Sequence, residues 1–272
     1  MGKRGISVGI HLFGVLLFVL MLLPLWWAFV ASLAAIGQPP QPGIAWFPYS
    51  PHWQNYVELF RILPLARYLG NTLFVLVFAI PLTVISASLA ALGLTLLPQR
   101  EREFWLRFSV GVLFVPAAAL WMLRFQILRA LGLLDSLWAL ILPAFGGTNP
   151  LFVLLFYWAF RRVPREIWDA ARIDGANTLH VWWRVALPLA RPAALTAASL
   201  AFVFYWSDFS APLLYIFDPK RYPAAVALQI LRQLDATNWQ LLMAAAVLMT
   251  LPVLLLFAIA QRWWQTDVIR EM

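Results

Sequence analysis

Residues 163–191 read VPREIWDAARIDGANTLHVWWRVALPLAR, a polar segment set between two apolar runs of membrane-spanning length. Pro164 suits a first helical turn, where its missing N–H is no loss. From Arg165 to Asp174 the residues are good or tolerable helix formers, with Ala170 and Ala171 side by side. Gly175 then offers the left-handed conformation that stops a helix. Asn177 or Thr178 suits the cap of a second helix, which is expected to run to Leu187, just before Pro188. The stretch therefore reads as a short helix, a glycine turn and a second helix, held against a membrane. With Arg161 and Arg162 it carries six of the chain's twenty basic residues, the others being Arg165, Arg172, Arg184 and Arg191.

The rest of the chain supports a membrane setting. It is 63% hydrophobic and only 12% charged, against about a quarter charged in an ordinary soluble domain. A helix needs about 20 apolar residues to cross the hydrocarbon core, so 272 residues with short loops leave room for about six crossings. The net charge of +8 does not point to nucleic acid, because the basic residues are dispersed and sit at segment ends. Retention of positive residues on the cytoplasmic side accounts for them. There is no cysteine, which excludes a disulfide or a thiolate metal site. Lys3-Arg4 followed by an apolar run has the look of a secretory signal, but the run is longer than the roughly 7–15 residues of such an h-region. It reads as a retained first span.

Read in order, the chain is all-α, one domain over 1–272, with spans expected at about 9–32, 71–97, 108–128, 137–160, 192–206 and 239–260. Pro24, Pro81 and Pro116 fall inside the first three, and Gly146-Gly147-Thr148-Asn149-Pro150 interrupts the fourth. Two extramembrane segments, 37–67 and 207–238, are aromatic and proline-rich or polar, as suits a membrane–water boundary. With both termini inside, thirteen of the twenty basic residues fall on the inner side, the loop 163–191 among them, and seven on the outer side or at span ends. That asymmetry places the loop in the cytoplasm. Arg124, in the third expected span, has two readings, facing the pathway or snorkelling to the outer surface, with snorkelling favoured.

Catalytic patterns are missing. No G-x-x-x-x-G-K-[ST] phosphate loop occurs; the two lysines, Lys3 and Lys220, follow no such glycines. No G-x-S-x-G elbow is present, and His11, His52 and His180 lie in three different regions, which is poor material for a metal site.

Asp169-Ala170-Ala171-Arg172-Ile173-Asp174-Gly175-Ala176, closed by Leu187-Pro188, resembles the cytoplasmic signature loop of ABC-importer permeases, roughly E-A-A-x-x-D-G-A. Asp169 stands where that family usually has Glu, so the charge is kept on a shorter arm. Tyr205-Trp206-Ser207-Asp208-Phe209, Gly132-Leu133-Leu134-Asp135-Ser136-Leu137-Trp138 and Leu241-Leu242-Met243-Ala244-Ala245-Ala246 are similar to segments of the sugar-type branch, and most closely of the smaller permease in maltose- or glycerol-3-phosphate-type importers. The family tail, roughly G-L-T-x-G-A-V-K-G, is replaced here by Trp263-Trp264-Gln265-Thr266-Asp267-Val268-Ile269-Arg270-Glu271-Met272, which puts a tail contact with the ATPases in doubt.

The resemblance implies a cell inner-membrane permease subunit with both termini cytoplasmic and a coupling helix between the fourth and fifth spans. It implies a second permease, two ATPase subunits that hold ATP and Mg, an extracytoplasmic solute-binding protein and the lipid bilayer as partners. It implies no cofactor, metal or catalytic residue in this chain. The implied ATPase-coupling residues are Glu166, Asp169, Ala170, Ala171, Asp174, Gly175 and Ala176. Small side chains let a partner approach the backbone; the acidic ones pair either with that partner or with Arg162, Arg165 and Arg172 at helical spacing. For the substrate path or the binding-protein contact the candidates are Trp206, Asp208, Phe209 and Tyr215, the alternative for the aromatics being belt anchors. A non-sugar solute (glycerol-3-phosphate, polyamine or other) and an ion-coupled secondary carrier are the competing readings. A carrier or membrane enzyme requires ionisable groups within the spans, and these are almost free of them.

Overall fold

The computed structural model describes residues 2–38, 46–47, 50–146, 149–234 and 237–270, with side chains described outside 2–10, 172 and 262–270. Among the described residues all regular structure is helical. The sequence predicts this, since only helices or closed barrels satisfy the backbone in lipid.

In chain order the helices are α1 (Gly2–Ser32), α2 (Gln54–Ile62), α3 (Leu65–Leu96), α4 (Gln99–Leu113), α5 (Ala117–Ala130), α6 (Trp138–Ile141), α7 (Pro150–Arg161) and α8 (Arg165–Ile173). They continue as α9 (Thr178–Val181), α10 (Leu187–Leu189), α11 (Arg191–Ser207), α12 (Ser210–Tyr215), α13 (Ala225–Leu234) and α14 (Trp239–Arg270). Four stretches, His11–Ser32, Leu65–Leu96, Trp138–Arg161 and Trp239–Gln261, are long and apolar enough to cross a membrane, and counting two bent pairs as spans makes up to six. The expected third span is one of those pairs: α4 and α5 meet at 100°. Pro116 is the cause, having no N–H to continue the ladder and a ring that disfavours helix in the residue before it. The other pair bends by 83° between Leu189 and Arg191. The expected fourth span passes through a 3-10 turn, Leu142–Gly146, before α7. Ser86 Oγ donates to the Ala144 carbonyl of that turn at 2.6 Å, satisfying an acceptor that the broken helix leaves open. Gly147 and Thr148 of the expected interruption lie outside the described residues.

The chain folds as two compact units, Met1–Ala66 with Val226–Val253 and Arg67–Ala225 with Leu254–Met272. In the first, buried Asn55 donates to the carbonyls of Ser32 (2.7 Å), the last residue of α1, and Ala34 (2.8 Å), just beyond it. Gln240 donates to the carbonyls of Ala35 and Gln38 in the following turn, both at 2.8 Å. Much of α1 remains exposed, from Leu12 through Leu22; a surface this apolar belongs against lipid or protein. The second unit holds two cores. One gathers Ala87, Ala91, Phe152, Phe156, Phe160, Trp182 and Ala197. The other gathers Val75, Ala79, Ile141, Ala144, Tyr215 and Ile216.

Candidate functional site

The polar loop is built by its own local chemistry. Pro164 precedes α8, and its carbonyl accepts the Ile167 N–H at 3.2 Å. Gly175 takes φ +75°, a left-handed conformation costly to any residue with a Cβ. The Ala176 N–H then reaches the Ala171 carbonyl at 3.1 Å, the six-to-one bond of a Schellman stop. Of the two expected caps, Asn177 serves: its Oδ1 accepts the His180 N–H at 2.8 Å. The second helix does not end before Pro188. It widens into a π-turn, Trp182–Ala186, and continues through α10. Leu187 N–H bonds to Trp182 O across that wide turn. Proline presses on the carbonyl one turn back, and the added residue of a π-bulge relieves that contact.

This loop presents an exposed face anchored from beneath. Glu166, Asp169, Ala170, Asp174 and Gly175 are exposed, while Ala171 and Ala176 are half-buried. Trp168 turns the other way, meeting Phe160 edge-on at 6.3 Å and packing on the first of the two cores. Among the described residues neither Glu166 nor Asp174 is held in a salt bridge. Ile173, not a candidate from sequence, stands 85% exposed at the end of α8. An isolated apolar residue beside a glycine stop in a charged helix was the signal for it. Below the π-turn, the buried Trp182 indole donates to Ser88 Oγ of α3 at 3.0 Å, so the loop's second helix is fixed to the long apolar helix.

The candidates after the fifth expected span separate. Trp206 is buried and stacked on Phe202 at 5.6 Å. Phe209 is exposed. Asp208 and Tyr215 meet at a cavity of about 730 Å³, whose wall also includes Trp121, Arg124, Asn149 and Tyr205. Arg124 lines this cavity, although outward snorkelling was the favoured of its two sequence readings.

A polar clasp closes the segment beyond. Asp135, at φ +56°, gives its N–H to the Tyr215 carbonyl at 2.8 Å. Its Oδ1 accepts the amides of Phe217 (3.0 Å) and Asp218 (2.9 Å), and Arg221 meets its Oδ2 at 2.9 Å. The two amides, Asp218 first, hold this carboxyl below its usual value of 3.8, with Arg221 adding to the effect. Asn71 Nδ2 ties the same segment to α3 through the carbonyls of Lys220 (2.9 Å) and Tyr222 (3.0 Å).

Apolar helices, a small-residue helix exposed on a polar loop and a solute-sized cavity together define an integral membrane transport component. The chain belongs to the family described as binding-protein-dependent transport system inner membrane component, which matches residues 6–270. It is 33% identical over 240 residues to the sulfoquinovosyl glycerol transport system permease protein SmoH of Agrobacterium fabrum, covering 88% of this chain and 84% of that one. It is 29% identical to the sn-glycerol-3-phosphate transport system permease protein UgpE of Yersinia pestis, over 96% of this chain and 95% of that one. The fold matches a bacterial ABC transporter involved in the import of the acidic polysaccharide alginate, with a TM-score of 0.78 at 21% identity, covering 96% and 97% of the two chains.

Proposed function

We propose that this chain is one of two permease subunits in an ATP-driven importer of a carbohydrate or related polyol, coupled to its ATPases through α8 and Gly175. The observation that carries this reading is the exposed face of α8, with Ile173 at its tip and Trp168 rooted in the core beneath. A lever needs both: a surface for the partner and a rigid connection to the helices that move. The names of SmoH and UgpE supply the solute class, a glycosyl glycerol and a glycerol phosphate. ATP and Mg are held by the partner ATPases; this chain contributes no phosphate-binding loop. The basic asymmetry supports a cytoplasmic loop and cytoplasmic termini, with the binding protein on the opposite face.

The test is co-purification of the ATPase with Gly175→Asp, or with residues 169–176 deleted, in membranes where the altered chain still inserts. Loss of the ATPase supports the reading; undiminished recovery contradicts it.

A further inference from the structure

We infer that the solute carries an oxyanion group, carboxylate, sulfonate or phosphate, and that Arg124 recognises it in the cavity between α5, α7, α11 and α12. This rests on the importer reading above and adds to it a chemical class of solute and a residue that selects it.

The cavity, about 730 Å³, is of the size that holds a small solute. Two of its wall residues are charged, Arg124 and Asp208. Its polar groups differ in what they still have to give. Asp208 Oδ1 accepts the amides of Ser210 (3.0 Å) and Ala211 (3.1 Å), which start α12. Asn149 Oδ1 caps α7 by accepting the Leu151 amide at 3.0 Å. The Tyr215 hydroxyl donates to the Trp121 carbonyl at 3.2 Å. Arg124 alone of these four forms no hydrogen bond or salt bridge with a described residue.

Arginine does not shed its proton in a protein, and it offers five N–H donors in a planar fork. A lasting positive charge in the middle of a largely apolar helix, AAALWMLRFQILRA, whose other charge, Arg129, sits in its last turn, is costly unless an anion or water meets it. An oxyanion matches the fork through two parallel hydrogen bonds. A neutral sugar would leave the guanidinium charge unmet.

The experiment is uptake by the complete assembly of this chain, second permease, ATPases and binding protein in proteoliposomes. The probes are labelled glycerol 3-phosphate, a 6-sulfonated glycosyl glycerol and a uronic-acid disaccharide, each beside its uncharged counterpart. Import of an anionic probe, reduced at least tenfold by R124Q and less by R124K, is the expected result. L120E, one helical turn away on the same wall, neutralises the guanidinium in place and is expected to give a similar loss, which decides the matter if R124Q does not assemble. Import of uncharged probes only, or anionic import at the normal rate in assembled R124Q or L120E, overturns the role of Arg124. Import of no probe at all, charged or neutral, overturns the importer reading itself and this inference with it.

Discussion

The Trp182 indole N–H donates to Ser88 Oγ at 3.0 Å, across ninety-four positions of sequence, with both residues buried. Ser88 in turn donates to the Ile85 carbonyl at 3.1 Å, so the hydroxyl is used as both acceptor and donor. This bond fastens the polar loop to α3 at the π-turn, the place where Pro188 has distorted the loop's second helix. Under the proposed coupling role of α8, motion passed along the loop would meet α3 here.

Replacing Trp182 with Phe removes the donor and leaves the Ser88 acceptor buried without it, a loss of about 1–3 kcal/mol. We expect W182F to lower the melting temperature of the purified complex and to reduce uptake. The double variant W182F/S88A should be less destabilised than the sum of the singles, since the two residues share one interaction. A thermal-shift double-mutant cycle in detergent measures this; strict additivity contradicts the bond's importance.

Ile173 is predicted to be an anchor of the docking surface. Its exposed side chain makes I173D nearly neutral for the fold of this chain, yet a carboxylate in an apolar partner groove is expected to weaken ATPase recovery at least tenfold. I173L should retain it. Pull-down of the ATPase from membranes checks both.

Gly175→Ala is expected to be milder than Gly175→Asp. Nothing lies within 4 Å of an added Cβ there, so the effect is the left-handed backbone alone, about 1–2 kcal/mol. The stop frays without a new charge, and ATPase recovery should fall partway between the wild-type chain and G175D.

Asp135 sets a pH dependence. Its folded carboxyl titrates below the ordinary 3.8, so its contribution is fully present above that value and is lost as pH falls through the lowered folded value. Protease cleavage within 216–222 should stay slow at pH 5 and rise only at pH below the ordinary carboxylate range. D135A should open the clasp at every pH, losing the acceptors and placing alanine in a left-handed conformation. D135N keeps one acceptor oxygen and tolerates that backbone, and should be intermediate and insensitive to acid.

The sequence made the polar loop legible because its signals are local. Pro164, the paired alanines, Gly175 and Asn177 each act through their own backbone, and all four are found where their chemistry put them. The helical class followed from composition, since lipid leaves the backbone few choices. What stayed hidden depends on partners distant in the chain. Proline at 116 announces a break, but nothing in the residues around it fixes the angle, which is 100°. Pro188 read as a stop, and the π-turn that absorbs it is supported by Ser88, far upstream. For Arg124 the sequence left two readings, the pathway or the outer surface, because nothing in its neighbourhood shows that α7, α11 and α12 line a cavity beside it.

In the proposed importer, α8 and its glycine stop face the cytoplasm and receive an ATPase. The chain has no cysteine, so I173C supplies a single reporter. Labelling it with a membrane-impermeant maleimide, in inside-out and right-side-out vesicles with and without the ATPase, tests the claim directly. Labelling only in inside-out vesicles, with protection when the ATPase is bound, is the expected result. Labelling from the outside, or labelling indifferent to the ATPase, contradicts it.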